Sequence, residues 1–258
     1  MVKGLYTAYT GMVNEQNRMD VLTNNLANAS TVGYKKVGAT SQSFDEVLSY
    51  KIKDTTDALW ARPLGGISLG VKVGETYTDF SQGSVRGTEN PLDMAISGTG
   101  FFTVEFTNKN GETSTKYTRD GSFILNKEGF LVTKDGDYVL GSNNNRIKLD
   151  PLQPISIDRM GTIWQNGQQM GTVGVTDFED YNYLEHYGEN YYQPVEGFTQ
   201  RQGEYQVLSG YLEMSNMNVV SEMVEMISVS RAYETNQKMI QTFDTTLEIA
   251  AGQLGRVQ

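Results

Sequence analysis

The one string with the spacing of a nucleophile is Gly66-Ile67-Ser68-Leu69-Gly70, in which Ser68 would be the serine of a hydrolase elbow. That chemistry needs a strand before the serine, a helix after it and an imidazole to take the proton. Here Pro63 and two glycines precede Ser68, and the alternating Val71-Lys72-Val73 behind it reads as a strand. The single histidine, His186, sits among Tyr183, Tyr187, Tyr191 and Tyr192 in an acidic, turn-like stretch. An ordinary approach to a strand explains the serine better, and a serine hydrolase centred on Ser68 stays as the alternative from another class. Gly98-Thr99-Gly100 lacks the third glycine and following helix of a dinucleotide loop. The strings TRDGS and TKDGD lack the continuation of a calcium loop and read as hairpin turns. Asn28-Ala29-Ser30 formally matches a glycosylation acceptor, but it directly follows an amphipathic segment, where Asn and Ser commonly end a helix.

Composition narrows the chemistry further. The 258 residues include no cysteine and one histidine, which excludes disulfides, thiolate nucleophiles, cysteine-ligated zinc and an imidazole cluster. Much enzyme chemistry goes with them, and no catalytic, cofactor-binding or metal-binding residue is assigned; the chain is read as a non-enzyme. Asp plus Glu number 31 against 21 Lys plus Arg, a net charge of -10, which argues against a surface that tracks nucleic-acid phosphates. No stretch approaches the roughly 18 to 20 apolar residues of a bilayer helix, and the start MVKGLYTAYTGMVNEQNRMD lacks the build of a secretory signal, so export is expected to use another route.

The elements follow from where Gly and Pro fall. All five prolines lie between Pro63 and Pro194, and Tyr211 to Ala251 contains neither Gly nor Pro, so a long C-terminal helix is expected. On it Val219, Met226, Tyr233, Ile240, Leu247 and Leu254 recur every seven residues. The N-terminal segment carries Leu5, Met12, Met19 and Leu26 at the same spacing, with Leu22 between. A seven-residue repeat is the mark of helices packing along their length. From Met217 to Leu254 a helix would measure about 57 Å, against about 35 Å from Leu5 to Asn28, so the longer one outruns its partner. Two covers for the stripes stay open, the middle domain or other copies of the chain. The middle is dense in Asn-Gly, Asp-Gly and Glu-Gly turns between short β-rich runs such as FFTVEF, SFILN and GFLVT, which are antiparallel strands. The fold class is thus α+β: long terminal helices forming a coiled-coil-like domain, plus a middle antiparallel β-rich domain. The expected divisions are an N-terminal helix over 1–33, an extended connector over 34–62, the β-rich domain over 63–209 and the C-terminal helix over 210–258. The tyrosines clustered from Tyr181 to Tyr192 suit either an interface or strand packing.

The segment NNLANASTVGYKK and the opening GLYTAYTGM resemble the N-terminal signature of the bacterial flagellar rod and hook axial proteins. The ending GYLEMSNMNVVSEMVEMISVSRAYETNQKMIQTFDTTLEIA is similar to the family's C-terminal helix, and LDMAISGTGFFTVEF with YTRDGSFILNKEGFLVTKDGDYVLG looks like its shared β domain. Ser230 stands where the family usually has glutamine, and Asn216-Met217-Asn218 where it commonly has Asn-Val-Asp.

The resemblance implies a structural subunit of the flagellar rod in the basal body, self-assembling into a helical homopolymer that transmits torque from motor to hook and encloses the export channel. It further implies passage through the flagellar type III export apparatus without a cleavable signal, and contact with other rod proteins, the hook protein and ring proteins around the rod. Among family members the length and the segment Phe44 to Val73 look most like the distal rod protein, with a proximal rod or hook-type protein as the alternative. The assembly surface is expected on the two helical stripes, together with Leu59 and Trp60 in the connector, whose apolar side chains among charges are seldom left in water.

Overall fold

The proline-free N-terminal segment forms α1 (Val2–Ala27) and the uninterrupted C-terminal one forms α2 (Val219–Leu254). In this computed structural model, which describes residues 2–52, 61–108, 111–188, 190–201 and 203–254, a large antiparallel β-rich middle lies between them in sequence, and the fold is α+β. The chain divides into two compact units, one of Met1–Ala27, Val37–Thr78 and Asn218–Gln258, the other of Asn28–Lys36 and Asp79–Met217.

The first unit holds both helices and a two-stranded ribbon. Asn218 caps α2, its side-chain oxygen accepting from the backbone N–H of Val220 at 3.1 Å and of Ser221 at 3.3 Å. The ribbon begins with β1 (Val37–Ser43) and β2 (Val47–Ile52), which return as β3 (Ala61–Ile67) and β4 (Val71–Thr78). β1 pairs with β4 and β2 with β3, both antiparallel. A register shift at Thr40 is filled by its own hydroxyl, which donates to Glu75 O at 3.0 Å and accepts from Glu75 N–H at 2.9 Å. The expected boundary between a connector ending at 62 and a β domain starting at 63 falls inside β3. The lack of an alternating pattern in VGATSQS or ARPLGGI, and for β1 a partner strand 28 to 41 residues on, is what hides the ribbon in the sequence.

The second unit starts with β5 (Val85–Gly87), β6 (Met94–Gly98), β7 (Phe101–Thr107) and β8 (Thr113–Thr118). There follow β9 (Phe123–Leu125), β10 (Leu131–Thr133), β11 (Tyr138–Val139), β12 (Ile155–Ile157), β13 (Thr162–Gln165), β14 (Gln168–Thr172) and β15 (Val175–Phe178). The last are β16 (Leu184–Tyr187), β17 (Tyr191–Pro194), β18 (Gln200–Arg201), β19 (Tyr205–Ser209) and β20 (Tyr211–Glu213). β7 is the hub: β8 pairs along one edge, while β15 and β11 share the other. Its neighbours in sequence, Phe101 and Phe102, point to opposite faces and are both fully buried, so the sheet is covered on both sides. Phe102 belongs to the aliphatic core with Ile96, Phe123, Leu131 and Ile163. Phe101 belongs to an aromatic cluster with Tyr117, Phe178 and Tyr192. The tyrosine-rich run thus divides: Tyr191 and Tyr192 are core, Tyr183 and Tyr187 are exposed. At the β13–β14 hairpin Asn166 and Gly167 both take positive φ, 51° and 76°, the requirement of a type I′ turn. Gly121 is fixed by space, since a Cβ there would stand 1.6 Å from Met94 O.

A buried ion cluster ties the second unit's segments together. Glu213 at the end of β20 accepts from the Lys35 ammonium at 2.6 Å and from the Arg119 guanidinium at 3.1 Å, and all three side chains are at most 4% exposed. Gly83 N–H donates to the same carboxylate at 2.9 Å. Burial pulls the Lys35 ammonium below its ordinary pKa, against the pull of Glu213 in the other direction. A second buried carboxylate, Asp177, accepts from Tyr181 OH at 2.7 Å, Arg201 at 2.8 Å, Thr99 OH at 2.9 Å and Phe178 N–H at 2.9 Å. Burial pushes its carboxyl up, but these donors outweigh burial and hold it below the usual aspartate value.

Two outcomes follow for stability. Glu213→Gln leaves two buried cations without a counter-charge, and should cost about 3 to 5 kcal/mol of unfolding free energy in a denaturant titration. A cost below about 1 kcal/mol would show that the cluster is solvated. Because the folded Asp177 has the lower pKa, the unfolded chain takes up the proton first as pH falls. Its contribution is complete above the ordinary value of 3.8 and is lost as pH drops through the folded value. Melting between pH 5 and 2 should therefore decline more steeply in the parent than in Asp177→Asn.

Candidate functional site

The helical stripes meet each other within the first unit. A Cβ built on Gly4 would stand 2.9 Å from Phe243 Cζ, and one on Gly11 would stand 3.0 Å from Asn236 Nδ2. Arg18 pairs with Glu225 at 3.1 Å, and Asn25 Nδ2 donates to Glu222 Oε2 at 3.4 Å. Each advance along α1 is a retreat along α2, so the helices are antiparallel neighbours. Glycine inside a helix costs about 1 kcal/mol against alanine, and here it permits the close approach.

Of the expected residues, Leu22 is buried, and Leu5, Met12, Met19, Leu26, Met226, Tyr233 and Ile240 are half-buried. Val219 and Leu247 are exposed, at 37% and 41%. The side chain of Leu254, and both Leu59 and Trp60, lie outside the described residues. Ala8 and Val229, at intermediate positions of the two stripes, are buried, and so are the polar Asn25 and Glu222, which the apolar spacing does not single out and which are 0% and 1% exposed. Asn25 also donates to Val37 O at 2.8 Å and accepts from Val37 N–H at 3.0 Å, so one amide joins α1, α2 and the start of β1. The signal in sequence is the seven-residue step from Gly4 to Gly11 to Arg18 to Asn25, masked because none of the four is a large apolar residue.

The strings with a chemical look resolve into structure. Ser68 donates to Phe44 O at 3.0 Å and to Gly70 O at 3.2 Å, and it lies between β3 and β4, so no helix follows it as an elbow requires. His186 is in β16 opposite Tyr192, its ring edge-on to that tyrosine at 5.4 Å, in the other unit. Gly98 and Gly100 form the tight bend between β6 and β7, with φ of 113° and 109°. Among the described residues no group of three or more His, Asp or Glu could hold a metal ion. No helix among them is long and apolar enough to cross a membrane. An open groove in the second unit is lined mainly by polar groups, among them Gln82, Thr103, Ser142, Thr176 and Glu204, and lacks the apolar walls usual for small ligands.

Three family models match in order along the chain. Residues 5–35 match the flagella basal body rod protein, 95–165 the flagellar hook protein FlgE/F/G D1 domain, and 208–253 the flagellar basal body rod FlgEFG protein C-terminal region. The chain is 34% identical over 272 residues to the flagellar basal-body rod protein FlgG of Bacillus subtilis, covering 96% of this chain and 97% of that one. It is 32% identical over 261 residues to the flagellar basal-body rod protein FlgF of Caulobacter vibrioides, covering 100% and 98%. Over 272 residues it is 30% identical to the flagellar hook-basal body complex protein FlhO of Bacillus subtilis, covering the whole of both. Likeness that runs end to end, through the paired helices and the β-rich middle alike, places the chain in the family of structural proteins of the flagellar basal-body rod.

Proposed function

We propose that this chain is a distal-type rod subunit that polymerises into a helical tube, carrying torque from motor to hook and enclosing the export channel. Its partners on this reading are copies of itself, other rod proteins, the hook protein, the export apparatus and rings around the rod. The observation that carries it is the state of the terminal helices. The two ends of the chain, far apart in sequence, form one antiparallel pair, and α2 still keeps Val220, Met223, Val224 and Ile227 exposed. Apolar area of this kind on a helix marks an interaction surface. In the assembled tube the helices would pack in the coiled-coil-like manner of their seven-residue repeat. The distal assignment is supported by the FlgG relatives.

Ile240→Asp places a carboxylate on the paired stripe at a cost of several kcal/mol. It should abolish sedimenting polymer while leaving the thermal transition of the β-rich unit in place; a variant that polymerises like the parent would remove the stripe from the packing surface. Leu59 and Trp60 are assigned to a contact between copies. In a Trp164→Phe background the emission of Trp60 should move to the blue on assembly. Emission already blue in the dilute chain, and unchanged by assembly, would withdraw that contact.

A further inference from the structure

We propose that copies of this chain join head to tail through one specific contact: the C-terminal overhang of α2 in one copy seats on the outer face of the first turns of α2 in the next. The proposal rests on the self-assembly reading above and names the contact that carries it.

The overhang follows from unequal helix lengths. Gly4 meets Phe243, α1 begins at Val2, and α2 runs on to Leu254, so the last eleven residues, about 16 Å of helix, extend almost wholly past α1. Leu247 stands on the side of α2 that faces α1 lower down, and with α1 ended it is 41% exposed; Ile249, 56% exposed, points to the opposite side of the helix, so Leu247 is the apolar contact the overhang offers from this side. At the other end of the same helix lies an apolar patch. Val220, Met223, Val224 and Ile227 fall within about 100° of one another on the helical wheel, on the side opposite Glu222, Val229 and Asn236, and are 48% to 71% exposed.

That patch and Leu247 cannot meet within one molecule. About 25 Å of helix separates Ile227 from Asp244. They differ from each other and sit at opposite ends, so a contact between them is heterologous and propagates into an open filament instead of closing a dimer. Charge agrees with this pairing. Arg231, exposed, continues the outer patch one turn on, while the overhang carries exposed Asp244 and Glu248 and has no Lys or Arg between Met239 and Leu254. A second copy therefore brings an apolar residue to an apolar face and an acidic rim to a cation.

The chain has no cysteine, so single-cysteine variants report the contact cleanly. Full-length Val224→Cys and Leu247→Cys chains of distinguishable mass are mixed at assembling concentration and treated with a short bis-maleimide. Linkage between the two variants should exceed linkage within either by about tenfold, the preference a contact worth one decade in affinity would give. As a second measure, Arg231→Glu should raise the concentration for half-assembly, and Glu248→Lys added to it should restore assembly towards the parent. Equal linkage within and between variants, or no effect of Arg231→Glu, overturns the contact. If Ile240→Asp blocks polymer while linkage shows no preference, the self-assembly reading survives and this contact falls. If the parent stays monomeric at every concentration, both fall.

Discussion

The second unit depends on one buried carboxylate. Both oxygens of Glu213 are engaged, Oε1 by Lys35 and Gly83 N–H and Oε2 by Arg119, and the Lys35 ammonium also donates to Ser81 O at 2.7 Å. These groups come from the segment after α1, the strand before α2 and two loops of the sheet. Neighbouring backbone bonds follow the same line: Gly33 N–H donates to Glu213 O, Lys36 N–H to Asn216 Oδ1 and Asp79 N–H to Lys36 O. The stretches that continue into the helices and the ribbon are thus bonded to one another inside the second unit. A buried ion cluster is an expensive way to gain stability, since apolar residues of equal volume serve as well, but it tolerates few alternative arrangements.

The first unit shows the same trade. A pair of apolar stripes would hold two helices together, yet Asn25 and Glu222 are buried in the seam and glycines stand at positions where alanine would favour the helix. The amide of Asn25 is held to both backbone groups of Val37 as well as to Glu222, so the place where α1 ends, β1 begins and α2 starts is set by directed bonds. Apolar contact then fills the length of the pair. For a subunit that must present its outer faces at fixed positions, directed bonds at one end are a suitable anchor.

The helices, the hairpins of the middle and the family are legible in the sequence because each has a local signature: a stretch free of Gly and Pro, turn dipeptides at short spacing, and long terminal motifs. The ribbon is not legible, because β1 finds its partner 28 to 41 residues on and β3 contains Pro63, Gly65 and Gly66, residues that weaken a strand reading. Glu213, Asn25 and Glu222 escape notice for a different reason. Polar residues in a sequence look solvated until their partners are known, and Lys35, Arg119 and Glu213 are separated by more than eighty positions from one to the next. Close-contact positions of α1 include Gly4, Gly11 and Asn25, which a search for large apolar residues passes over.

The proposed function puts the antiparallel pair of α1 and α2 in the wall of a tube built from this chain. Helical reconstruction by electron cryo-microscopy of the full-length protein, concentrated until it sediments, tests this most directly. The expected result is a hollow filament whose inner wall is α1 and α2. A filament lined by β structure would contradict it.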